Sequence, residues 1–181
     1  MADYIYTVSK RKFYPLNPRV EDILIEDIAH ALSMLARANG HFPFFHSVAQ
    51  HSIECANEAL ARGYSEKIVL ACLLHDGAEA YMSDVTTPVK SALSDYGEYE
   101  ERLIDMIYEK YTGPLSVEEK AIVYRVDKDL LYHEFNHYMN IELSEKTELK
   151  SAPEFVFKEF SVVRDEYLQL FRQLTEKLWR K

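Results

Sequence analysis

Apolar positions recur every three or four residues along most of this chain, and the stretches where they do so are bounded by residues that start or stop helices. From Glu26 onward, Ile28, Leu32 and Leu35 fall on one helical face, and Asn39-Gly40 supplies the stop. A second helix is expected over 47–61, where Ser47 is an N-cap and Val48, His51, Cys55 and Ala59 share a face. Ser65 begins a third, predicted to run through Leu70, Leu73 and Leu74 into His75-Asp76 and to end before Pro88. Two more are expected at about 98–111 and 116–141, the latter opened by Ser116 with Glu119 three residues on, a capping-box pattern, and containing Asp127. The last, about 161–178, carries Val163, Tyr167, Leu170, Leu174 and Leu178 at spacings of three and four, a core stripe with a dimer seam as the lesser reading. Only the N-terminal end departs from this period. Residues 4–14 alternate weakly around Tyr4, Tyr6 and Val8, and Ile23-Leu24-Ile25 is a short apolar run, so one or two short strands are expected there.

All six prolines fall at predicted element borders, and no repeat or low-complexity linker interrupts the chain. The expectation is an all-α fold, a single helical bundle spanning 1–181 with short N-terminal strands. A chain of 181 residues buries a core without disulfides or a structural metal, which leaves any metal free for catalysis. Cys55 and Cys72 sit among apolar helical residues and read as small core groups. A net charge of -9 argues against a nucleic-acid polymer as partner, because phosphate backbones select basic surfaces. Small phosphate esters need only a few local cations and a metal. With no run of about 18 apolar residues and no basic-then-apolar start, the expected location is the cytoplasm, away from membranes.

Four residues stand out: His51, the pair His75-Asp76, and Asp127. A lone histidine on a helix is usually a hydrogen-bonded core or surface group. The pair differs, because it closes the apolar run Ile68 to Leu74, where burial of an ionisable pair demands a partner. Two imidazoles and two carboxylates suit a divalent transition ion (Co, Mn, Fe, Ni or Zn) better than an all-oxygen Mg site.

A histidine, a His-Asp doublet and a distant aspartate, all on helices, resemble the signature of the HD-domain superfamily. Ile28 through Leu32 to His51, then His-Asp-Gly-Ala-Glu-Ala and Ser-Asp-Val-Thr-Thr-Pro-Val-Lys, look like the bacterial HD-domain 5'-deoxynucleotidases over roughly 20–135. That resemblance implies that His51, His75, Asp76 and Asp127 bind the ion and that Glu79 orients or deprotonates the attacking water. Helix geometry agrees, since Glu79 lies four residues beyond His75 and three beyond Asp76. It also implies that Arg37 binds phosphate and that Asp84 contacts the sugar and takes part in the catalytic set, with Thr87 and Lys90 adding a hydroxyl and a cation. Two departures stand beside it. Ala38 follows the arginine where the resembling enzymes carry a large aromatic, a place that Phe42, Phe44 or Phe45 could fill, and Gly77 sits inside the predicted helix. Binuclear members supply extra histidines between the doublet and the last aspartate. None occurs here from Asp76 to Lys128, so one ion is expected. The resembling enzymes are commonly homodimers.

The expected activity is therefore hydrolysis of a (deoxy)nucleotide 5'-phosphate, a deoxynucleoside monophosphate first, with triphosphohydrolase action on the same site as the alternative. Two lesser readings remain: a nucleotide-binding domain without chemistry, and a zinc metalloprotease built on His133-Glu134-Phe135-Asn136-His137. For the protease, third-ligand positions are limited to Glu145, Glu148 and Glu154. The phase of Glu134, seven residues after Asp127, instead turns it toward the site as support.

Overall fold

A computed structural model describes residues 3–144 and 146–180. Strands β1 (Ile5–Tyr6) and β2 (Lys12–Phe13) form an antiparallel hairpin with Ile5 opposite Phe13. Eight helices follow among the described residues: α1 (Ile25–Met34), α2 (Val48–Ala61), α3 (Glu66–Leu74), α4 (Glu79–Met82), α5 (Thr87–Lys90), α6 (Tyr96–Tyr111), α7 (Val117–Met139) and α8 (Phe160–Trp179). The fold is all-α with a short N-terminal hairpin. The run Ile23-Leu24-Ile25 is not a strand: Ile23 is fully buried just after a 3-10 turn, and Ile25 opens α1.

The core forms around α3. From Ile68 to Leu74 every residue is buried, so this helix is apolar all round and needs neighbours on every side. It finds them in α2, α8, α7 and α6. The stripe on α8 is core: Val163, Tyr167 and Leu174 are buried, and Leu170 and Leu178 pack against the same cluster. The predicted capping box of Ser116 with Glu119 is present, the predicted N-cap Ser47 forms a second box with Gln50, and α7 ends on Asn140 in the left-handed region (φ 56°). The hairpin is tied to α1 through Asp27, which accepts bonds from the Ser9 amide (2.9 Å) and hydroxyl (2.8 Å). Phe13 stacks on Tyr81 of α4 at 3.8 Å.

Two predicted helices stop early. The first ends at Met34, and the chain turns extended so that Ala36 bridges Ser47 and the Arg37 amide donates to His46 O (2.9 Å). A 3-10 turn follows, with Ala38 and Asn39 both left-handed, so Asn39-Gly40 closes a turn instead of a helix. This doubling-back brings Arg37 beside α2.

The second interruption falls at the doublet. α3 ends at Leu74, and what reads as one continuous helix becomes α3, a turn over 75–78, α4 and, past a left-handed Ser83 (φ 71°), α5, with Pro88 in its first turn. Gly77 explains the break. Its amide donates to Leu74 O at 2.8 Å, and a Cβ there would lie 2.9 Å from that carbonyl oxygen and 3.1 Å from Ile107 Cδ1. Because the nearer atom is backbone, little can give way. Gly77→Ala is expected to destabilise the fold by about 1–3 kcal/mol, read as a lowered urea midpoint. An unchanged midpoint would refute the close-packing account.

Residues 140–144 and 146–159 carry no regular structure, and side chains hold part of this stretch. Glu58 of α2 accepts from the Lys150 amide (2.9 Å), the Ser151 amide (2.7 Å) and hydroxyl (2.6 Å), and Arg62 Nε (2.6 Å). Burial pushes its carboxyl up, but these donors, led by Ser151, hold it down to about 2 against an ordinary 4.5. A depressed carboxyl stabilises the fold above its unfolded value, and that stabilisation is lost as pH falls through the folded one. The anchor at 150–151 is therefore expected to loosen between about pH 4.5 and 2, seen as faster amide exchange than intrinsic chemistry dictates. Glu58→Gln should show this loosening already at neutral pH.

Candidate metal centre

Two helices and two turns deliver the site. His51 projects from α2, His75 and Asp76 follow the last residue of α3, Asp127 lies midway along α7, and Arg37 sits in the 3-10 turn before α2. The end of α3 sets the geometry, because the last carbonyls of a helix lack intrahelical partners. Cys72 O accepts from His75 Nδ1 (2.7 Å), Leu73 O from the Tyr167 hydroxyl of α8 (2.8 Å), and Leu74 O from the Gly77 amide (2.8 Å). With its proton placed on Nδ1, His75 turns the lone pair of Nε2 toward the other three side chains.

Those side chains converge. His51 Nε2 lies 3.3 Å from His75 Nε2 and 3.1 Å from Asp127 Oδ1, and Asp76 Oδ2 lies 3.3 Å from His75 Nε2 and 3.9 Å from His51 Nε2. Arg37 Nη1 approaches Asp76 Oδ2 to 3.7 Å. Against burial, hydrogen bonds with His51 and His75 hold the Asp127 carboxyl well below its usual value. Burial, then Asp76 and Asp84, raise Glu79 far above the carboxylate range. Two buried carboxylate oxygens, Asp76 Oδ2 and Glu79 Oε2, accept no hydrogen bond from any described residue. The orphaned Asp76 oxygen, 3.3 Å and 3.9 Å from two imidazole nitrogens, is what a divalent cation would satisfy.

Among the described residues, two groups of donors are close enough to hold a metal ion: His51, Cys55 and the half-buried His75, and separately the buried His46, Glu54 and Glu134. In the first, burial pushes the Cys55 thiol up to about 11, so Asp76 and Asp127 are the better anionic donors to the same imidazoles. In the second, both ring nitrogens of His46 are already engaged: Nε2 with Glu134 Oε1 (3.3 Å), and Nδ1 with the Tyr138 hydroxyl (3.2 Å).

Glu134, fully buried, links the parts. Its Oε1 accepts from His51 Nδ1 at 2.6 Å, and its Oε2 from Arg37 Nη2 at 3.1 Å. The flanking histidines turn elsewhere, His133 Nε2 donating to Thr147 O (2.8 Å) and His137 packing on Phe155. With its carboxylate committed to His51, His46 and Arg37, Glu134 is not free to act as a metalloprotease base. Glu148 and Glu154 are exposed, and Glu145 lies outside the described residues.

Arg37, Asp76, Glu79, Asp84, Thr87, Lys90 and Asp127 all border one cleft of about 340 Å³. Lys90 is not a free cation there: its Nζ lies 2.5 Å from Glu100 Oε1 and 3.8 Å from Glu79 Oε1. Lys128 does reach the cleft, 3.2 Å from Asp127 Oδ2, and sequence reading passed over it although it adjoins a predicted ligand. Ala38 is at the wall, and of the three nearby aromatics Phe42 is the one that lines it, stacked on Tyr138 at 4.7 Å, while Phe44 is exposed.

Fold and site together define an all-helical chain with buried histidine, cysteine and glutamate groups able to hold a metal ion. No helix among the described residues is long and apolar enough to cross a membrane. No protein-family model matches the chain. It is 38% identical over 111 residues to the uncharacterized protein YfdR of Escherichia coli (strain K12), covering 61% of this chain and 60% of that protein. An uncharacterized protein of Rhodobacter capsulatus is 40% identical over 113 residues, 59% of this chain and 57% of that protein. The chain thus matches about three-fifths of the length of these relatives.

Proposed function

We propose that this chain is a metal-dependent phosphohydrolase of the HD type that hydrolyses the 5'-phosphate of deoxynucleoside monophosphates. The observation that carries the reading is the meeting of His51, His75, Asp76 and Asp127, with a buried Asp76 oxygen that accepts no hydrogen bond from any described residue. Those four residues would hold one divalent transition ion, which supplies Lewis acidity toward a phosphoryl oxygen and lowers the pKa of a bound water. Glu79, with one oxygen unpartnered in the same cleft, accepts the proton of the attacking water. Arg37, held by Glu134, neutralises nonbridging phosphate oxygens, Asp84 accepts a bond from the sugar hydroxyl, and Thr87 donates at the rim.

Charge favours a monophosphate over a triphosphate. Four carboxylates, Asp76, Glu79, Asp84 and Asp127, face Arg37, Lys128 and a neutralised Lys90 in this cleft. One added dication brings this set to about neutral, so every phosphate charge beyond it goes uncompensated, and a three-phosphate tail is disfavoured more than a single phosphate. The test is to measure bound metal and then assay nucleoside mono- and triphosphates with added Mn or Co, identifying the inorganic product. Orthophosphate from monophosphates is expected. Tripolyphosphate from triphosphates would transfer the site to the alternative substrate, and no phosphate from any monophosphate would overturn the proposal.

A further inference from the structure

A cavity of about 230 Å³ lies between α2, the irregular segment that precedes α8, and α8 itself, and it shares no bordering residue with the cleft at the metal centre. Gln50, Glu54 and Asn57 border it from α2. Ser151, Glu154 and Lys158 border it from the segment, and Glu166 from α8. Two points of the segment are pinned to α2: Ser151 donates to Glu58, and Val156 O accepts from Gln50 Nε2 at 3.1 Å. The wall is therefore fixed structure and not a gap beneath a loose loop.

One group on this wall lacks a partner. Glu54 is 7% exposed, and its shielded Oε2 accepts no hydrogen bond from any described residue. His46 Nε2 stands 3.8 Å away, beyond hydrogen-bond reach, and is engaged with Glu134 at 3.3 Å. Lys158, the one cation among the bordering residues, is engaged as well: its Nζ lies 3.0 Å from Glu166 Oε2 and 3.8 Å from Glu154 Oε2. Burial pushes the Glu54 carboxyl up to about 8, as expected where no donor compensates for lost solvent. A buried polar group left in this way costs stability that a ligand with a donor would recover.

The lining states what kind of donor. With Glu54 ionised, three carboxylates face one ammonium, an excess of two negative charges. Among the described residues, Glu54, Glu154 and Glu166 do not form a donor group close enough to share one metal ion, which argues against a point cation. Two separated charges fit better, one for the buried Glu54 and one for Glu154, whose side chain is 74% exposed at the rim. Ile53, Ala152 and Pro153 supply the apolar part of the wall. The volume falls below the ~300–1,000 Å³ typical of pockets for drug-sized ligands, so the occupant is small.

We propose that this cavity is a binding site for a small aliphatic diamine, one ammonium donating to Glu54 and the other held by Glu154, with the methylene chain against Ile53 and Pro153. Both contacts are charge-assisted. The bound diamine ties the segment 151–158 to α2 and α8, and the proposal stands apart from the hydrolase reading.

1,4-Diaminobutane is the probe, titrated calorimetrically into the full chain at constant ionic strength, with butylamine as the single-charge comparator. Saturable binding is expected. Glu54→Gln should weaken it about 10–100-fold, the range for one hydrogen bond to a charged group, and butylamine should bind more weakly than the diamine. Glutamine fills the same space, and a thermal melt checks that the variant is folded. Amide exchange supplies a second readout: the diamine should slow exchange over 151–158 in the wild-type chain and leave it unchanged in Glu54→Gln. Absence of saturable binding, equal affinity in wild type and Glu54→Gln, or equal affinity for butylamine would overturn the proposal. If Glu54→Gln does not fold, exchange in the wild-type chain decides, and a segment 151–158 unprotected by the diamine refutes the site.

Discussion

Glu79→Gln protein is expected to lose about a hundred- to ten-thousandfold in the rate of phosphate release, the range for removing a positioned general base. Glutamine keeps the shape of a side chain that is 6% exposed and wedged beside Asp76 and Asp84, but it cannot accept a proton. The loss should therefore appear in kcat, with KM nearly constant and bound metal unchanged. The folded state should not suffer either, because glutamine removes a carboxylate that burial and its neighbours already disfavour. Undiminished activity in this variant would remove Glu79 from the chemistry. Loss of metal together with activity would recast it as a ligand.

The second large effect is expected at Glu134. Truncation to alanine leaves the buried Arg37 guanidinium without its closest carboxylate and releases Nδ1 of His51. Breaking a buried pair in this way costs about 3–5 kcal/mol, and losing the group that orients a metal-binding histidine lowers metal affinity about 10–100-fold. Chelator competition and a thermal melt measure the two effects without reference to turnover. Glutamine separates them. Its amide oxygen still accepts from His51, while its amino group meets Arg37 donor to donor. Glu134→Gln should thus weaken binding of inorganic phosphate more than binding of the ion. Wild-type metal affinity in Glu134→Ala would show that His51 needs no such support.

Much of this was readable in the chain because helical periodicity and capping are local. α2 and α7 begin where Ser47 and Ser116 predict, and the stripe on α8 is core. The sequence-predicted ligands also come together, since a buried doublet after an apolar run has few places to go. What stayed hidden depends on long-range contact. Nothing local in Glu134 reveals that one carboxylate reaches both His51 and Arg37, partners 83 and 97 residues away. Phase turned it toward Asp127, and only packing supplied the rest. The break after Leu74 was equally hidden, because Gly77 reads as a tolerated helix residue until Ile107 of α6 closes over it. Lys90 looked like a spare cation because its partner Glu100 belongs to a different helix.

The bond from Tyr167 to the Leu73 carbonyl has a further consequence for how the protein fails. It joins α8 to the last turn of α3, just ahead of the doublet, in a segment whose every residue from Ile68 to Leu74 is buried. The doublet is thus anchored to packed core, and loosening of α3 against α8 would displace it. Metal retention and cooperative unfolding become one event, and any ion bound there adds its binding free energy to the stability of the whole chain.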